Sequence, residues 1–260
     1  SFCRCCFLMI KYFAERRAPD RSPGQHKILL QDYVTRQKII IGVSAESLAE
    51  DSACKYILFI LYFHFMSVKQ QIIEPDGIYF ITITCFKWLP LFGIADSYDV
   101  VYNWFHYLKK NGHYITGYVI MPNHLHALIG FSNTGKNINR IIGNGKRFMA
   151  YDIIDKLKAK GYQNILSKLS AAVTISGKKR GKLHEVFESS FDIKECFTMD
   201  FIKQKLNYIH FNPCTGKWNL ADCPENYLHS SAGYYADGVQ GLFPTDNIMQ
   251  IMDIDLTKRV

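Results

Sequence analysis

From residue 74 onward, stretches with a strand-like apolar pattern alternate with stretches of helical spacing. Ile78 to Phe86 is dense in β-branched and aromatic residues and follows the turn-forming Glu74-Pro75-Asp76-Gly77, which predicts a strand. Asp96 to Asn111 carries apolar residues at Val100, Val101, Phe105 and Leu108 and stops at Asn111-Gly112, which predicts a helix. His113–Ile120 and Leu125–Phe131 read as second and third strands joined across Met121–His124. Asn137 to Lys160 reads as a long helix on Ile138, Ile141, Ile142, Met149, Ile153 and Leu157, its first half weakened by Gly143 and Gly145. His184–Phe191 is the fourth predicted strand. Strand–helix–strand–strand–helix–strand is the split βαβ order, so the expected fold is an α+β, ferredoxin-like sandwich on an antiparallel sheet, with the first and third strands central.

Other stretches break these periods. Residues 161–182 are polar, end in Ser176-Gly177-Lys178-Lys179-Arg180-Gly181-Lys182, and read as a flexible basic insertion. Residues 1–65 mix a cysteine-rich start, a polar stretch and the apolar run Tyr56–Phe65, which is shorter than the ~20 residues of a membrane span. With Ser1 in place of methionine, residues 1–65 read as a poorly structured or untranslated leader. The working domain is then expected at 66–240, with 241–260 as a C-terminal tail.

Composition adds two constraints. Lys and Arg number 31 against 23 Asp and Glu, a net charge of +8 that suits a polyanionic partner. Of the eight cysteines, Cys85, Cys196, Cys214 and Cys223 form no CxxC pair and no regular framework, and the cluster Cys3, Cys5 and Cys6 matches no common zinc pattern, which fits reduced thiols of a cytosolic protein.

The candidate chemistry starts at Met121-Pro122-Asn123-His124-Leu125-His126. In an extended chain His124 and His126 project to one face, while Leu125, Ala127 and Ile129 point to the other, toward a core. Two imidazoles on one face can hold a divalent metal, although His-X-His is also a common chance pair. A helix is expected from Thr198 or Asp200 to Asn212, where Pro213 ends it. Its apolar stripe is Ile202, Leu206 and Ile209. Tyr208 falls ~130° from that stripe, with Asn212 and Lys205 on its own face.

The two segments, with Tyr208-Ile209-His210-Phe211-Asn212-Pro213 as the second, resemble the single-tyrosine HUH transposases. The REP-associated tyrosine transposases are the nearest in pattern. Pro224-Glu225-Asn226-Tyr227-Leu228-His229-Ser230-Ser231-Ala232-Gly233-Tyr234-Tyr235 is similar to that group's C-terminal signature, so the resemblance spans roughly residues 70–236. It implies that His124, His126 and Asn212 bind Mg²⁺ or Mn²⁺ and that Tyr208 is the nucleophile of a 5′-phosphotyrosine intermediate. It also implies a single-stranded or hairpin DNA substrate, a nucleoid-associated cytoplasmic location, and either a monomer or a homodimer.

Candidate contacts to DNA are Arg140, Lys146 and Arg147 on the long helix, Lys178, Lys179 and Arg180 on the insertion, and Lys205 beside the tyrosine. Val186-Phe187-Glu188-Ser189 and Cys214-Thr215-Gly216 depart from the family pattern. A domesticated DNA-hairpin-binding descendant without productive transposition is the alternative function. A zinc hydrolase would need a further acidic or histidine ligand soon after His126, and no candidate is seen before His184.

Overall fold

The strands form one antiparallel sheet in the order β2-β3-β1-β4, with β1 at Gly77–Thr84, β2 at Tyr114–Met121, β3 at His124–Phe131 and β4 at Asp192–Glu195. This is the expected ferredoxin-like arrangement, with β1 and β3 in the middle. The chain is described by a computed structural model, which covers residues 72, 74–189, 191–216 and 218–259. The leader expected at 1–65 lies outside the described residues. Among the described residues no helix is long and apolar enough to cross a membrane.

Alternation along the central strands divides the interior in two. Ile81, Ile83, Leu125, Ala127 and Ile129 point into the larger core. That core is closed by α1 (Leu91–Ala95), α2 (Asp99–Lys110), α3 (Ile138–Ala159) and α4 (Gln163–Ala171). Ile78, Phe80, Val119, Met121 and Leu128 point the other way, into a second core under α6 (Met199–Phe211). Both faces of the sheet are therefore buried, and at roughly 1.5–3 kcal/mol per buried large aliphatic side chain each layer holds the sheet strongly.

Three sequence expectations need correction. The fourth strand lies at Asp192–Glu195, not at His184–Phe191. Val186 and Phe187 are apolar because they are buried beyond the end of β1, where Phe86 donates to the Val186 carbonyl at 2.8 Å and Glu188 to that of Thr84 at 2.9 Å. Asp-Ile-Lys-Glu is an edge strand fixed by backbone pairing to Tyr79–Thr82, so its polar side chains carry no strand signal.

The stretch 161–182, expected to be flexible, forms α4 and the short α5 (Ile175–Lys179). Leu166 and Leu169 are buried, and Thr174 caps α5 by accepting from Gly177 N–H. Residues 241–259, expected as a tail, pack into both layers: Phe243 enters the larger core, and Ile248 and Ile251 of α8 (Ile248–Met252) join Leu256 in the second. Asp246 fastens the segment by accepting from Ile115 N–H and pairing with Lys109 at 2.7 Å.

The third motif covers the exposed side of β2. Ile120 N–H donates to the His229 carbonyl, Tyr118 N–H to Ser231 Oγ, and Tyr227 and Tyr235 hydroxyls to the Ile120 and Thr116 carbonyls. An open strand edge is thus occupied within the chain itself.

The two helical glycines noted in α3 differ in kind. A Cβ on Gly145 would stand 2.3 Å from Trp104 Nε1 on α2, whereas one on Gly143 meets nothing within 4 Å. Gly145 is needed for helix contact and Gly143 is not. Gly143→Ala should raise stability by about 1 kcal/mol, the helix-propensity difference. Gly145→Ala should lower it by roughly 1–3 kcal/mol through overpacking. Chemical denaturation of the two variants checks this, and equal effects would contradict the packing argument.

His113 is buried, and its Nδ1 accepts from Ser132 N–H at 3.2 Å. Burial, with Lys136 adding to it, lowers its pKa from 6.5 to about 4. As pH falls below 6.5 the unfolded chain takes up a proton that the folded chain refuses. Stability from this group is therefore lost between pH 6.5 and 4, by at most about 3 kcal/mol. His113→Gln keeps an acceptor and should show a shallower loss of unfolding free energy from pH 7 to 4.5; identical slopes would count against the assignment.

Candidate active site

His124 opens β3 immediately after the two-residue turn Pro122-Asn123, and His126 follows on the same face. Their ring centroids are 4.6 Å apart, and both rings are almost fully buried. Each Nδ1 is engaged. His124 Nδ1 lies 2.7 Å from Asn123 Oδ1, and His126 Nδ1 lies 2.8 Å from Thr82 Oγ1 on the neighbouring strand. Asn123 Nδ2 donates to the Trp88 carbonyl, which fixes the amide's orientation and makes Oδ1 the acceptor. His124 therefore carries its proton on Nδ1 and presents the Nε2 lone pair. Second partners of this kind orient metal-binding imidazoles.

Burial keeps both rings neutral. His124 is lowered to about 4, partly opposed by its hydrogen bond to the Asn212 side chain. His126 is held well below 6.5 by burial and then by His124 and Lys205.

The second half of the site comes from α6. Thr198 caps it by accepting from Phe201 N–H, and Ile202, Leu206 and Ile209 bury the expected stripe. Tyr208 is 51% exposed, yet its ring meets His126 edge-on at 5.0 Å and Phe80 at 5.9 Å. Asn212 is the C-cap residue, one step beyond the helix, and its hydrogen bond to His124 closes the set. The structure thus brings His124, His126, Tyr208 and Asn212 together. Among the described residues no group of three or more His, Cys, Asp or Glu is placed to hold a metal.

The position of α6 is set by Gly117 and Ser231. A Cβ on Gly117 would lie 2.5 Å from Leu206 Cδ2, so the glycine makes room for the Leu206 side chain of the helix above it. At the far end His210 Nε2 is 3.0 Å from Ser231 Oγ, which joins the C-terminal motif to the turn that carries Asn212.

Sequence reasoning placed the cationic residues less well. Arg140, Arg147, Lys178, Lys179 and Arg180 are exposed, as a phosphate contact requires. Lys146 is not presented to solvent: it donates to the Glu188 carbonyl at 2.7 Å and faces the Phe191 ring, and burial lowers its pKa to about 8. Its work is to hold the segment beyond β1. Lys205 is 7% exposed and caged by aromatic rings, its Nζ 4.8 Å from Phe80, 5.0 Å from Phe201 and 5.9 Å from Tyr208. Burial, and then Lys194 nearby, lowers its pKa.

Three residues of the site had no functional reading in the sequence. Asn123 was read only as a turn former, Thr82 only as a strand residue, and Trp88 not at all. Asn123 carried a signal in retrospect, since a polar side chain directly before a buried imidazole needs a partner.

Lys205 is a buried cation for which the described residues supply no carboxylate. Desolvation of an ammonium costs more than contact with aromatic rings returns. Lys205→Met should therefore raise unfolding free energy by roughly 1–2 kcal/mol. Thermal or denaturant melts measure it, and a destabilised variant would show that the cation is held by favourable contacts.

No family model matches the chain, and no curated protein matches it. Among solved structures it is similar to a REP-associated tyrosine transposase bound to a REP hairpin, at 14% identity and a TM-score of 0.46, over 75% of this chain and 99% of that one. It is also similar to a candidate transposase from Deinococcus radiodurans, at 14% identity and a TM-score of 0.31, over 55% of this chain and 95% of that one.

Proposed function

We propose that the chain is a metal-dependent transposase and endonuclease that cuts and rejoins single-stranded DNA beside hairpins through Tyr208. One observation carries this reading. Both imidazoles have Nδ1 engaged by Asn123 and Thr82, the His126 ring meets Tyr208, and His124 is hydrogen-bonded to the Asn212 side chain, so four groups of the required types converge. A core histidine pair has no need of a half-exposed tyrosine and an amide beside it.

His124, His126 and Asn212 would hold Mg²⁺ or Mn²⁺. Two neutral imidazoles and an amide oxygen would be the protein's share of such a site, with the borderline Mn²⁺ the better match to nitrogen donors. When bound, the ion polarises the scissile phosphodiester and offsets charge in the transition state.

The remaining work belongs to side chains. The Tyr208 phenol gives its proton to solvent and its oxygen attacks phosphorus. The tyrosyl O–P bond forms as the bond to the 3′ oxygen breaks, and that oxygen takes up a proton to become a 3′-hydroxyl. The 5′-phosphate stays on the tyrosine, so the reverse reaction rejoins a strand without ATP. Lys205, a buried cation beside the tyrosine, offsets the negative charge of the incoming phosphodiester. Arg140, Arg147, Lys178, Lys179 and Arg180 supply backbone contacts to the DNA, in keeping with the net charge of +8.

Incubation of the full chain with labelled single-stranded hairpin DNA and Mn²⁺ should give a covalent protein–DNA adduct. EDTA or Tyr208→Phe should abolish it, with a loss on the order of 10³-fold or more. Thr82→Val should weaken Mn²⁺ binding by roughly 10- to 100-fold, because His126 loses its orienting partner. An adduct that persists in Tyr208→Phe sinks the nucleophile assignment. Hairpin binding with no adduct under any metal favours the domesticated DNA-binding alternative.

A further inference from the structure

Beside the histidine pair the backbone does something costly. Lys87 and Trp88, in the short 3₁₀ turn Phe86–Trp88 that follows β1, both have positive φ, 49° and 57°, although neither is glycine. Left-handed backbone is unfavourable at a residue with a side chain, and it persists only where the surroundings enforce it. Here they do. Lys87 N–H donates to Glu188 Oε1 at 2.7 Å, Trp88 N–H to the Cys85 carbonyl at 3.0 Å, and Asn123 Nδ2 to the Trp88 carbonyl at 3.4 Å.

The result is an indole that does not join the core. Trp88 is 56% exposed and stands edge-to-face on His124, with centroids 5.5 Å apart and planes at 70°. The same Asn123 amide fixes both the Trp88 backbone and the His124 imidazole, so the two rings are held in register. A broad aromatic surface is thereby fixed at the rim of a site whose interior holds a buried cation, Lys205. That combination suits a ligand with an anionic backbone and a flat unsaturated ring, which is single-stranded nucleic acid.

We propose that Trp88 is a stacking platform for one nucleobase next to the phosphodiester presented to Tyr208. It is a positioning residue: the stacked base sets which phosphate reaches the tyrosine. The inference rests on the reading of Tyr208 and the histidine pair given above. The backbone strain at Lys87 and Trp88 is then the cost of aiming the indole away from the core.

The test uses the full chain and an unstructured single-stranded oligodeoxynucleotide, together with a set in which one base at a time is replaced by an abasic spacer. In Tyr208→Phe, Trp218→Phe protein, which isolates binding and removes the half-buried third tryptophan, the oligonucleotide should quench tryptophan fluorescence, and Trp88→Phe should remove most of that quenching, since Trp104 is buried. Trp88→Ala should weaken binding roughly 10- to 100-fold, with Trp88→Tyr recovering most of it. One spacer position should cost the intact protein a similar factor and cost Trp88→Ala almost nothing further. Equal affinity in Trp88→Ala, or a spacer profile unchanged by it, overturns the platform.

Adduct formation at Tyr208, assayed in parallel, separates the two claims. An adduct with a flat Trp88 cycle removes the platform and leaves the catalytic reading. A coupled Trp88 cycle with no adduct leaves the platform and removes the nucleophile.

Discussion

The candidate site depends on how closely one helix can approach one sheet. Tyr208 and Asn212 reach the histidines only because α6 lies directly over β2 and β3, with Leu206 seated on Gly117. Helix-on-sheet packing normally keeps a layer of side chains between the two backbones, and removing a Cβ from that layer brings them together. The bulge between Ile115 and Gly117 matters for the same reason, because it turns Gly117 toward the helix and leaves Ile115 in the opposite core. The candidate arrangement, split between a strand and a later helix, thus depends on packing at a glycine away from both imidazoles.

Around that contact each functional group is fixed by a group with no chemical part of its own. Asn123 and Thr82 orient the imidazoles, Ser231 ties His210 beside the turn bearing Asn212, and the Tyr227–Tyr235 segment keeps the outer edge of β2 paired. The C-terminal motif is remote from the tyrosine in sequence and touches neither histidine of the pair. Its part is structural: it closes a strand edge and sets the end of α6.

Legibility in the sequence followed the strength of the local pattern. His124 and His126 could be placed on one face because strand alternation is enforced by geometry, and Leu125 and Ala127 went to the core as expected. Tyr208 could be placed off the apolar stripe because helical spacing is equally regular. The fourth strand was misplaced because an edge strand is held by its backbone, and Asp192–Glu195 displays nothing periodic. The basic stretch 161–182 was expected to be flexible because its charges obscured Leu166 and Leu169, which are enough to anchor a short helix. Lys146 and Lys205 were taken for solvent-facing cations because a lysine's burial is decided by tertiary neighbours, here the Glu188 carbonyl and three aromatic rings.

The costly features of this domain lie where folding alone gives no reason for them. Lys205 is a buried charge with no carboxylate beside it among the described residues, Lys87 and Trp88 hold left-handed backbone, and Trp88 and Tyr208 leave large rings in solvent. Around them the two cores are almost wholly apolar, and the sheet is covered on both faces. Several unfavourable terms meet beside the histidine pair, which accords with the proposed pre-organisation for an anionic, ring-bearing ligand. On the proposed reading a bound single strand offsets the charge and covers the rings, so the same features that cost stability in the free protein favour the complex.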